Sequence, residues 1–282
     1  MLTVFGSNMT PFSLVISVYQ NDEPSFVVDA LESVLIKQTC IPAEIVLVED
    51  GPISSRLEHV VQDFERRFPS IIRVKSLPVN KGLGNALRVG LECTQYEIVA
   101  RMDSDDICYP DRFQKQLAFL SCHHEVDIVG GQMTEFIESP ENIVSRRIVP
   151  LTDEGIRSFM KSRCPFNHVT VMFRKQSVLK AGGYMDWFWN EDYYLWIRMA
   201  LHGCVFANLS DDLVNCRTGF DQYARRGGIK YFNSERKLQR FMLQKRMISF
   251  LQYCFNVFSR FVIQVLMPNR IRGWFFKRFA RS

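Results

Sequence analysis

The chain has 282 residues, 47% of them hydrophobic and 23% charged, with a formal net charge of +5. That length and balance supply a core for one domain, or one domain plus an appendage, and exclude a chain too polar to fold. No run of about 20 apolar residues offers a membrane span, and residues 1–11 lack the basic start and apolar stretch of a secretory signal.

The charge is unevenly placed. Over residues 217–282, fifteen Lys and Arg stand against two acids, Asp221 and Glu235, which predicts an anionic partner for the tail. Eight cysteines are scattered without Cys-x-x-Cys pairs, several in apolar runs such as Tyr253-Cys254-Phe255, a pattern expected of reduced, buried thiols in a cytosolic protein.

In chain order, residues 13–18 read as an apolar, β-branched strand. A polar turn follows, then a helix with Val27, Ala30, Leu31, Val34 and Leu35 on one side. A second strand covers residues 44–48 and closes on Glu49-Asp50-Gly51-Pro52; a helix is expected over 55–68, a strand over 71–77 and a helix over 82–93. The apolar run Tyr96-Glu97-Ile98-Val99-Ala100 then leads into Asp103-Ser104-Asp105-Asp106. Four β-α units with nearly uninterrupted apolar strands predict an α/β fold with a parallel sheet covered on both faces.

The acidic stretch is the most informative part of the chain. Three carboxylates in four positions after a buried strand are costly unless a cation or ligand neutralises them. Side chains at i and i+2 of an extended segment point the same way, so Asp103 and Asp105 could address one Mg²⁺ or Mn²⁺ while Asp106 faces elsewhere. An acidic loop ahead of a helix near Pro110 is the equally simple alternative. Ligands of such sheets bind beyond the carboxyl ends of the strands. Ser17-Val18-Tyr19, Glu49-Asp50-Gly51, Asn80-Lys81-Gly82 and Arg101-Met102-Asp103 all fall at that edge. Each alone is a plausible turn, but turn chemistry does not require acids and a lysine to converge.

Further on, Glu191-Asp192 is expected to open an apolar helix over 187–201, His168 precedes an expected strand at 169–173, and Met133 and Met172 read as core. Arg217, Arg225 and Arg226 sit in a Gly-containing polar stretch that reads as a loop suited to phosphate contact. Beyond Lys230 the pattern is helical, basic and aromatic. It suits an anionic membrane interface, or, for residues 250–261, ordinary packing on the domain. Nucleic acid is disfavoured by the acidic front half.

These motifs, in order and together with Asn167-His168, Gly182-Gly183-Tyr184 and Glu191-Asp192-Tyr193-Tyr194-Leu195-Trp196, resemble the motif set of family 2 glycosyltransferases. The Asp-x-Asp-Asp form, Pro165-Phe166-Asn167-His168 and Arg225-Arg226-Gly227 are closest to bacterial O-antigen and exopolysaccharide members, including amylovoran-type enzymes.

The resemblance implies a GT-A fold with a mixed central sheet: a domain over residues 1–229, its donor half about 13–110 and acceptor half about 111–229, then a basic helical tail at 230–282. It implies inversion by single displacement, a UDP-sugar donor, Mn²⁺ or Mg²⁺, and a β-linked hexose, glucose or galactose, placed on GlcNAc or GalNAc linked through diphosphate to undecaprenol. The setting would be the cytoplasmic face of a bacterial plasma membrane, with peripheral attachment. Carried over, Asp50 would meet uracil, Ser17, Tyr19 and Glu23 the nucleoside, and Asn80, Lys81 and Arg101 the base and ribose. Asp103 and Asp105 would meet ribose and metal, Arg225 and Arg226 the diphosphate, and His168 and Asp106 the acceptor. Asp192 would be the general base, oriented by Glu191. A catalytically silent sugar-nucleotide-binding scaffold of the same fold is the alternative.

Overall fold

Strand β1 (Phe12–Val18) sets the layering. Its even members Phe12, Leu14, Ile16 and Val18 enter one core, and Val15 enters another on the opposite face, as the two-residue repeat of a strand dictates. The computed structural model describes residues 10–219 and 227–267.

β1 lies between β2 (Glu44–Glu49) and β4 (Ile98–Asp103), with β3 (Ile72–Ser76) outside β2, all parallel. The crossovers are α1 (Pro24–Leu35), α2 (Ser55–Arg67) and α3 (Leu83–Cys93). The expected alternation over this half is therefore what the chain adopts, with ends shifted by a residue or so. Ser54 starts α2 by accepting a hydrogen bond from the Leu57 amide at 3.3 Å.

Beyond β4 the direction changes. β5 (Ile107–Cys108), α4 (Arg112–Cys122), β6 (Ile128–Phe136), β7 (Ile143–Arg147) and α5 (Asp153–Met160) precede β8 (Met172–Arg174) and α6 (Lys175–Lys180). Then come α7 (Glu191–Leu201), β9 (Phe206–Arg217), α8 (Ile229–Gln244) and α9 (Phe250–Phe261). The sheet runs β3-β2-β1-β4-β8-β6-β9-β5, with β7 also on β6. β8 is antiparallel to both β4 and β6, and β9 is parallel to β6, so one mixed sheet carries both halves. Buried Arg112 braces the junction: it donates to the Arg101 carbonyl at 2.8 Å and to Gln116 at 3.1 Å. Gln116 in turn donates to the carbonyls of Val129 at 3.0 Å and Thr170 at 2.8 Å.

Several expectations need correction. Residues 168–170 form a 3₁₀ turn and only Met172–Arg174 are strand, because Thr170 folds back onto the Asn167 carbonyl (2.8 Å) and binds the Gly131 amide (3.0 Å). The helix expected from Trp187 begins at Glu191. Cys254 is exposed, not buried, since it lies on the outer side of α9. Met133 and Met172 are core.

Candidate active site

Alternation along β4 builds the centre of the site. Ile98, Ala100 and Met102 face one core; Val99 faces the other, so Arg101 and Asp103 follow Val99 to that side. Arg101 is 2% exposed, which is tolerable for a guanidinium only with a partner, and it donates to Asp103 two positions on. Around it stand His168, Tyr184 and Asp192. His168 and the Tyr184 hydroxyl are 3.0 Å apart. Burial, helped by the Arg101 charge, holds the His168 imidazole well below its ordinary pKa, so it is neutral near pH 7.

β4 ends at Asp103, and residues 104 and 105 turn. This corrects the extended-chain argument for the acids: Ser104 takes the buried position, and Asp103, Asp105 and Asp106 bring carboxylate oxygens within 4.8 Å of one another. Asp106 is buried and accepts the Arg217 amide at 2.9 Å; burial and its acidic neighbours push its carboxyl well above the usual range. Asp105 is pushed up to about 6 by burial, then by Asp103 and Asp22. Asp22 is itself pushed up to about 6, mainly by burial, against hydrogen bonds from Ser104 (2.8 Å) and the Tyr19 amide (3.1 Å). Such crowding fits a divalent cation: oxygen-only donors, partly open to solvent, whose repulsion a 2+ charge would relieve.

Arg217 departs from the loop reading. It ends β9, its side chain 12% exposed, where it donates to the Asp105 carbonyl (3.2 Å) and Asp29 (2.9 Å) beneath Phe26. Arg225 and Arg226 lie outside the described residues.

On the other side of Arg101, α7 opens with Glu191 and Asp192. Asp192 Oδ1 accepts the Tyr193 amide at 2.7 Å, and the Cys164 thiol lies 3.4 Å from Oδ2. Burial and the Asp192 charge hold that thiol protonated, so it donates. Glu191 is pushed up to about 7 by burial and then Asp192. It packs against the start of α3: a Cβ on Gly84 would lie 3.2 Å from Glu191 Cβ.

At the carboxyl edge of the parallel strands, both oxygens of buried Asp50 accept backbone amides, Lys81 and Gly82, each at 2.9 Å. The clip needs Gly51, whose φ is +84° and where a Cβ would sit 2.5 Å from the Asn80 nitrogen. Ser17 pairs in register with Asp103, and Tyr19, Glu23, Asn80 and Lys81 are exposed around the same edge. Asp22 and Cys164 are the polar groups here that motif reading passed over. Asp22 had one signal, a second acid just past the carboxyl end of β1.

The "Glycosyl transferase family 2" profile matches residues 13–185. The amylovoran biosynthesis glycosyltransferase AmsE of Erwinia amylovora is 38% identical over 95% of this chain and 98% of its own. An Escherichia coli enzyme, UDP-Gal:alpha-D-GlcNAc-diphosphoundecaprenol beta-1,3-galactosyltransferase, is 34% identical over 98% of each chain. Among solved structures, Staphylococcus aureus TarS 1–349 in complex with UDP-GlcNAc superposes with a TM-score of 0.66 at 16% identity, covering 95% of this chain and 79% of that one. The fold is therefore GT-A, and the silent-scaffold alternative gives way to an enzyme. With more than half its length matched by the profile and near-complete alignment to such relatives, the chain belongs to glycosyltransferase family 2.

Proposed function

We propose that this enzyme transfers galactose or glucose from UDP to GlcNAc or GalNAc linked through diphosphate to undecaprenol, inverting the anomeric centre to a β linkage, at the cytoplasmic face of the membrane. The observation that carries the reading is the full-length relationship to the Escherichia coli galactosyltransferase, whose donor and acceptor are of these classes.

The side chains support the roles. GT-A enzymes commonly use divalent metals; here Asp103 and Asp105 would hold Mn²⁺ or Mg²⁺, with Asp22 adding negative charge nearby. When bound, the ion offsets the charge that accumulates on departing UDP. Asp50, Ser17, Tyr19, Glu23, Asn80 and Lys81 would form the nucleoside pocket, with Arg225 and Arg226 on the diphosphate. Asp192 would take the acceptor hydroxyl's proton: the Tyr193 amide and the Cys164 thiol fix its two oxygens yet leave lone pairs free. Arg101 would hold Asp103 in place, while His168 and Asp106 would meet the acceptor.

The test is a UDP-release assay across UDP-sugars with undecaprenyl-diphosphate-linked GlcNAc and GalNAc analogues. UDP release that requires acceptor, stops in EDTA or in Asp105→Ala, and yields a β-linked disaccharide by NMR is expected. Full activity in EDTA would remove the metal from the scheme, and no transfer from any UDP-sugar would overturn the reading.

A further inference from the structure

Helix α9 leaves most of its large apolar side chains on the outside. Inward, Tyr253 and Phe261 pack against the domain beside a polar set: Asn256 donates to the Lys161 carbonyl at 2.9 Å and to Gln239 at 2.8 Å, and Arg260 binds Glu235 and the Ser162 carbonyl, each at 2.5 Å. Its outward side is apolar. Phe250 (66% exposed), Leu251 (80%), Phe255 (71%) and Phe258 (68%) share that face with exposed Cys254. Ordinary core packing, one expectation for this segment, would put these on the other side.

We propose that this face is a docking surface for an anionic lipid bilayer, and that the enzyme lies on the membrane through α9. Charge argues for lipid over a second copy. Exposed Arg236, Lys237, Arg240, Lys245 and Arg246 belong to α8 and its link to α9. The sole acid among residues 229–267, Glu235, is 13% exposed and occupied by Arg260. With cations in α8 and in the link that leads to α9, and no free acid nearby, a second copy would be repelled and anionic headgroups attracted. At 12 residues α9 is about 18 Å long, too short to cross about 30 Å of hydrocarbon, so it would lie in the interface.

The contacts also give direction. Residues 161 and 162, gripped by Asn256 and Arg260, lead to Cys164, the donor to Asp192. Tyr193, next to Asp192, donates from its hydroxyl to the Met160 carbonyl. One short segment thus joins the docking helix to the carboxylate that would receive the acceptor. This orientation rests on the lipid-linked acceptor; the docking itself can be measured without it.

The experiment uses the full chain, without substrates, on phosphatidylglycerol/phosphatidylcholine vesicles and on phosphatidylcholine alone. Sedimentation with the anionic vesicles is expected, weakened by salt, and reduced at least about tenfold in Leu251→Glu/Phe255→Glu. Ile143→Glu, at an exposed β7 position, should bind as wild type. A fluorophore on Cys254, with Cys122→Ser to silence the other exposed thiol, should shift to the blue on binding. Turnover on a water-soluble acceptor should survive the double substitution, which separates failure of docking from failure of the transferase reading. Equal sedimentation of variant and wild type, an unshifted label, or a solution dimer that the double substitution dissociates would overturn the proposal.

Discussion

Asp192 receives one hydrogen bond from a backbone amide and one from a thiol, a setting that fixes its direction. Asp192→Asn keeps the shape and loses the proton affinity. Turnover should therefore fall by the ~10²–10⁴-fold of a lost general base while UDP-sugar affinity, measured by calorimetry, stays within about twofold. Normal turnover in that variant with a collapse in Glu191→Gln would assign the base to Glu191. At this scale sequence reading goes far for residues whose meaning is local. The spacing of Asp103 and Asp105 and the adjacency of Glu191 and Asp192 are visible in the chain. The thiol on Asp192 comes from 28 positions away and the guanidinium on Asp29 from 188, separations that only the fold closes.

At the scale of elements, the two edges of the parallel sheet carry different work. The carboxyl edge holds the Asp50 clip and the acidic group. The amino edge holds Glu44, 3% exposed, which accepts from Ser13 (2.6 Å), the Gln95 amide (2.9 Å) and Arg73 (2.6 Å), and so ties β1, β2, β3 and the approach to β4. Removing it leaves the buried Ser13 hydroxyl without its acceptor and releases the Gln95 amide and half-exposed Arg73. Glu44→Ala should lower unfolding free energy by about 2–4 kcal/mol in denaturant melts, with the KM for UDP-sugar unchanged in protein that remains folded. A changed KM with unchanged stability would contradict the division. The first four strands were readable because β1, β2 and the start of β4 are apolar runs, β3 alternates, and turn signals separate them. β8 was readable in place but not in extent: the expected strand at 169–173 shrinks to Met172–Arg174, because the Thr170 hydroxyl that interrupts it acts through Gly131, 39 positions upstream.

For the whole molecule, four acids held above their ordinary range, Asp22, Asp105, Asp106 and Glu191, make stability depend on pH. Asp22 and Asp105 sit at about 6 and Glu191 at about 7, against ordinary values of 3.8 and 4.5. The folded chain binds these protons more tightly than the unfolded one. For Asp22, Asp105 and Glu191 the contribution to stability is complete below about pH 4 and is lost as pH rises through 6 to 7. Comparing wild type with Glu191→Gln in EDTA cancels the other groups. The variant should gain melting temperature relative to wild type between pH 5 and pH 8, by a few degrees, with most of the gain falling below pH 7. A gain that shrinks over that interval would mean that Glu191 is stabilised by its surroundings rather than strained by them.

The outward ring of Phe250, Leu251, Phe255 and Phe258 changes what concentration means for this enzyme. A protein lying on a bilayer meets lipid-borne acceptors in two dimensions, and its encounter rate follows their density in that surface, not the moles dissolved in the flask. Diluting the acceptor with inert phospholipid at constant total amount would then slow the reaction. Diluting the whole suspension would leave the rate per bound enzyme unchanged.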